Sequence, residues 1–84
     1  MTEEQIANDL IEYLTRTISR DLLPAHPPTD FPLLDSGALD SLELFKLVAH
    51  LEDTFGVEMK PEEIVPESFA TIQTIAKMVQ GYFS

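Results

Sequence analysis

The chain has 84 residues, enough for one small domain and too few for two. Apolar residues make up 44% of it, which suits a folded protein, and 15 acidic against 5 basic residues leave a formal charge of -10. Such a surface repels nucleic-acid phosphates and anionic lipid headgroups, so nucleic-acid binding is not expected. There is no cysteine, which excludes a disulfide framework, a thiol nucleophile and a cysteine-based zinc site.

The opening stretch "MTEEQIANDL" is acidic and lacks a basic region followed by a long apolar core, so it does not read as a signal peptide. No apolar run approaches membrane-spanning length, and a soluble, cytoplasmic, monomeric protein is the expectation. From Thr2 to about Arg20 the pattern is helical. Ile6, Leu10, Leu14 and Ile18 recur every four residues with Ile11 beside them. Thr2 is the candidate N-cap, Glu3 and Glu4 fall in the first turn, and Arg16 and Arg20 in the last, as the helix dipole favours.

The next segment, "DLLPAHPPTDFPLLDSGALD", holds four of the six prolines and has no sustained period. Its length marks it as an ordered or functional loop. Leu22, Leu23, Phe31, Leu33, Leu34 and Leu39 argue that it lies against the core. A second helix is predicted from about Ser41 to Phe55, with Leu44, Val48, Leu51 and Phe55 as its inward stripe, Leu47 alongside, and Gly56 as its stop. "PEEIV" reads as one short helical turn with proline at its first position. Pro66 interrupts, and a last helix starts at about Thr71, with Ile72, Ile75, Ala76 and Val79 inward and Gly81 at its fraying end. No segment alternates like a strand. The expected fold is all-α, a small four-helix bundle of three main helices and one short helix with a long first loop, in a single domain spanning residues 1–84.

"DSGALDSL", residues 35–42, contains two Asp-Ser pairs. Ser36, followed by Gly37, is ordinary turn chemistry. Ser41 sits at a helix start. Asp40 and Glu43 have the spacing of a capping box, which would leave the Ser41 hydroxyl at the first helical position, free to face solvent. The unpaired N–H groups and partial positive charge there favour a phosphate on that oxygen. The other reading of the spacing makes Ser41 itself the N-cap.

The ordered set "LLDSGALDSL", "ELFKLVAHLEDTFGVEM" and "PEEIVPESFATIQTIAKMV" resembles the acyl and peptidyl carrier protein family over nearly the whole chain. The resemblance implies that Ser41, in Asp40-Ser41-Leu42, carries a covalent 4'-phosphopantetheine arm derived from coenzyme A, whose terminal sulfur holds cargo as a thioester. The missing cysteine is thereby accounted for. The implied partners are a phosphopantetheinyl transferase, an acyl- or aminoacyl-activating ligase, and downstream synthase or transferase enzymes. The chain itself is implied to be non-catalytic.

Glu43, Lys46, His50 and Asp53 are expected on the outward face of the second helix, either as a solvated face or as a recognition stripe, with Leu42 as the apolar anchor. Carriers of housekeeping fatty-acid synthesis usually show a more acidic second helix and a small residue before the Asp-Ser. Leu39, Lys46 and His50 depart from that and favour a specialised pathway using secondary-metabolite, aminoacyl or modified extender-unit cargo, with a housekeeping fatty-acid-synthesis carrier as the alternative. His26 and His50 read as surface residues, with no metal cluster and no calcium loop around them. Phe45, Phe55, Phe69, Tyr82, Phe83, Met59 and Met78 read as core or its edge. Two rival functions remain at this level. A hydrolase using Ser41 lacks a G-x-S-x-G signature, and His50 lies about 13 Å along the helix from it. An unmodified acidic interaction module binding a basic partner is the other.

Overall fold

A computed structural model describes residues 2–83. It contains three α-helices, α1 (Glu3–Thr17), α2 (Ser41–Phe55) and α3 (Ile72–Gly81), with 3-10 turns at Pro61–Glu63 and Pro66–Phe69 between the last two. No strand occurs among the described residues, so the all-α class holds. The short helix expected around "PEEIV" is a single 3-10 turn, and a second one occupies Pro66–Phe69, where the sequence predicts an interruption. Proline at the first position of each fixes φ and sacrifices no needed N–H.

Helix α1 starts where its cap dictates. The Thr2 side chain accepts from the Gln5 amide and the Gln5 side chain accepts from the Thr2 amide, a full capping box. It ends at Thr17, with Ile18 extended, so Arg20 lies beyond the helix and only Arg16 stands in its last turn. Ile6, Ala7, Leu10, Leu14 and Ile18 are buried, and α1 packs on α3 through Ile72, Ile75, Ala76 and Val79.

Helix α2 is rotated relative to the predicted stripe. Leu47, Leu51 and Phe55 are its buried line, whereas Leu44 and Val48 are only half-buried on its shoulder. Gly56 ends it at φ 67°, a left-handed conformation that glycine adopts without a Cβ penalty.

The long first loop is bound into the core at both ends of its second half. Leu23, Leu33, Ala38 and Leu39 are buried, while Leu22 is exposed, contrary to its expected place. The Leu33 amide donates to the Ala70 carbonyl at 2.9 Å, and the Gln73 amide donates to Thr29 at 2.9 Å, tying the loop to the second 3-10 turn and to α3. Phe69, the last residue of the second 3-10 turn, is fully buried.

Both tyrosines report on this packing. Burial raises the Tyr13 phenol above its ordinary 10.0, the Glu43 carboxylate adds to that, and Lys46 opposes it. Burial also raises Tyr82, as does its hydrogen bond to Glu63. The folded state thus favours the neutral phenols. Their stabilisation is complete below the ordinary tyrosine value and is lost as pH rises through the raised one. Alkaline titration followed by phenolate absorbance should show both ionising later than free tyrosine, with the urea midpoint falling over the same range. Ionisation at the free-tyrosine position would contradict the burial.

Candidate functional site

Ser41 is the first residue of α2, and the chain leading to it is rigidly placed. Ser36 makes the turn expected of it: its hydroxyl accepts from the Ala38 amide at 3.3 Å and donates to the Leu33 carbonyl at 3.4 Å, with Gly37 at φ 81°. The Leu39 amide then donates to the Leu33 carbonyl at 2.9 Å, and Ala38 and Leu39 are both buried. Leu39, which sequence comparison set against a small residue, is thus a core anchor one step before the cap.

Asp40 is the N-cap. Its backbone is extended, and its Oδ1 accepts from the Glu43 amide at 2.8 Å. The capping box is only half made, because Glu43 does not reach back to the Asp40 amide. Its carboxylate instead meets Lys46 Nζ at 3.5 Å. The alternative in which Ser41 caps the helix is not the one adopted. With Asp40 in that role, Ser41 is exposed, and its hydroxyl makes no hydrogen bond among the described residues. The first N–H groups of any helix have no intrahelical partner. Those of Ser41 and Leu42 therefore flank an exposed hydroxyl at the positive end of the helix dipole, an arrangement that suits a phosphate ester on Ser41 Oγ.

The face around the serine is apolar. Leu42 is 64% exposed and Phe45 80% exposed, so Phe45 stands in solvent and not in or at the edge of the core. Leu44, Phe45 and Val48 of α2, together with Ile64 across from them, line a groove of about 210 Å³ that begins at Ser41. Sequence reasoning missed this group, although the signal was there: residues 41, 44, 45 and 48 follow the i, i+3, i+4, i+7 rule of one helix face. Ile64 had no such signal, since it reaches the site only through the fold.

The predicted outward residues divide. Lys46 and Asp53 are exposed, and Glu43 is half-buried beside Lys46. His50 is not on the open face. Its side chain is 19% exposed, its ring stacks on Tyr13 at 3.9 Å and 17°, and its Nε2 lies 2.8 Å from Asp9 Oδ2 on α1. Its Nδ1 meets the Thr54 hydroxyl at 3.3 Å. With both ring nitrogens so engaged, His50 offers no base to Ser41. Among the described residues, no group of three or more His, Cys, Asp or Glu could hold a metal ion, and no helix is long and apolar enough to cross a membrane. A family model described as "phosphopantetheine attachment site" matches residues 8–80.

Proposed function

Since the chain belongs to the phosphopantetheine-attachment family of carrier domains, we propose that Ser41 is the residue that bears the arm and that a specialised biosynthetic pathway uses it to present acyl or aminoacyl thioesters. The carrying observation is the exposed Ser41 hydroxyl, left unbonded because Asp40 caps α2. In loading, Ser41 Oγ would attack the pyrophosphate of coenzyme A, lose its proton to a base of the transferase, and gain the phosphopantetheinyl group as the nucleoside bisphosphate leaves. The arm supplies the thiol that this cysteine-free chain lacks. The chain's own residues would supply the rest: Ser41 would anchor the arm, Asp40 holds the helix start, and the α2 N–H groups would favour the phosphate. A tether also raises the effective concentration of cargo at any docked enzyme.

Leu42 and Phe45 are the proposed apolar anchors for the transferase and for the cargo-handling ligase and synthase partners. Lys46, Asp53 and Glu43 lie at their rim, and His50 acts only by bracing α2 on α1. Exposed aromatic side chains are frequent energetic centres of interfaces. A partner with a basic rim suits the charge of -10. The specialised-pathway reading now rests on Phe45 and Lys46, which stand where a denser acidic face would be, because Leu39 and His50 are committed to packing. A single-domain, monomeric, cytoplasmic carrier completes the reading.

The test is an intact mass after incubation with coenzyme A, magnesium and a broad-specificity phosphopantetheinyl transferase. A gain of one phosphopantetheinyl group is expected, and no gain would leave an acidic interaction module. In the same assay Phe45→Ala should raise the apparent KM about tenfold or more, as loss of an interface anchor does, with kcat and the melting temperature nearly unchanged. An unaltered KM would remove Phe45 from the interface.

A further inference from the structure

Tyr82 follows α3 directly, and its hydroxyl reaches across to the turn that forms the far wall of the Ser41 groove. It donates to Glu63 Oε1 and accepts from the Lys60 amide at 3.3 Å. Lys60 precedes the Pro61–Glu63 turn and Ile64 follows it, so one phenol grips the turn at both ends. None of Pro61, Glu62 and Glu63 is buried, so the turn is held by the polar clamp and by its flanks, the buried Met59 and the half-buried Ile64 packed against the core. The Met59 amide donates to Glu52 Oε2 at 3.0 Å, tying the same stretch to α2. A cleft of about 210 Å³, bordered by Lys60, Glu63, Met78, Gly81 and Tyr82, lies beside this clamp. The raised Tyr82 phenol keeps its donor proton well past neutral pH, so the grip persists under ordinary conditions.

We propose that Tyr82, through Glu63 and the Lys60 amide, is a positioning residue that fixes Ile64 and so sets the width of the groove beside Ser41, limiting the sheltered cargo to short aliphatic acyl thioesters. This rests on the carrier reading above. The groove's volume of about 210 Å³ is many times the roughly 10–15 Å³ that a single water needs on the same measure. It therefore suits the apolar end of a chain of a few carbons. Its lining is almost wholly hydrocarbon, so a charged aminoacyl group gains nothing by entering it.

The experiment charges the chain from acetyl-, hexanoyl- and dodecanoyl-coenzyme A with a promiscuous transferase and measures the rate at which hydroxylamine cleaves each thioester. The parent should protect hexanoyl relative to acetyl and dodecanoyl. Tyr82→Phe and Glu63→Ala should each cut that protection by about two- to tenfold, the effect of losing one hydrogen bond. Glu63→Gln, whose amide oxygen still accepts from the phenol, should retain it, which a general loosening of the fold would not produce. Equal protection in the parent and in Tyr82→Phe overturns the latch while leaving the carrier reading intact. Equal cleavage of all three chains in the parent shows that the groove holds no cargo and also overturns it. Failure to charge Ser41 at all removes the carrier reading itself.

Discussion

Ser41→Ala should gain no phosphopantetheinyl group under conditions that fully convert the parent, and should keep the parent's far-UV circular dichroism and melting temperature. Loss of loading is complete because, among the described residues, no other hydroxyl stands at the first position of an α-helix. Ser36, the nearest analogue in sequence, spends its oxygen inside its own turn. Retention of the fold follows from the division of labour at the helix start. Asp40 satisfies the Glu43 amide, so removing the Ser41 hydroxyl orphans no donor, and alanine is the better helix former. Exposed substitutions of this kind lie within about 0.5 kcal/mol of neutral. Asp40→Ala is the instructive opposite, costing about 1 kcal/mol through loss of the cap. A residual mass gain in Ser41→Ala would move the attachment site elsewhere.

Phe69→Ala should be the most damaging single truncation in the chain. Phe69 is fully buried in the second 3-10 turn, and the next residue, Ala70, accepts the Leu33 amide that holds the first loop. Burying a phenylalanine and then leaving its cavity costs about 3–5 kcal/mol. A chain of this length has a total stability of roughly 4–12 kcal/mol. With a urea slope near 1 kcal/mol per molar for so small a protein, the midpoint should fall by about 3 M or the chain should be unfolded outright. A shift below about 1 M would show that neighbouring side chains collapse into the space. Where the variant still folds, loading at Ser41 should slow as well, because the loop that delivers Asp40 loses its support.

The contrast between the two phenylalanines shows where sequence reasoning reaches its limit. Phe69 and Phe45 are chemically identical and both read as core or its edge, yet one is fully buried and the other is 80% exposed. Periodicity could not separate them. The α2 stripe can be drawn through Leu44 and Val48 or through Leu47 and Leu51, which lie side by side on the helix, and which line points inward depends on how α2 is rotated against the other elements. The same rotation decides His50. Spacing alone places it among outward residues, but Tyr13 and Asp9, 37 and 41 positions earlier, draw it into the contact with α1.

By itself the sequence determined the local features. The helix starts at Thr2 and Thr71, the stop at Gly56 and the Ser36 turn follow from short-range chemistry that a few neighbouring residues complete, whereas the spacing at the head of α2 leaves Asp40 and Ser41 both eligible as its cap, and the folded chain uses Asp40. The carrier family was legible for the same reason, since its signature is a string of such local signals in order. Only the tertiary structure decided what surrounds the serine. The groove joins α2 to Ile64, 23 residues downstream of Ser41, and the Tyr82 clamp joins that turn to the end of α3. Contacts between residues so far apart along the chain depend on how helices pack, and helix packing leaves no period in the sequence to read.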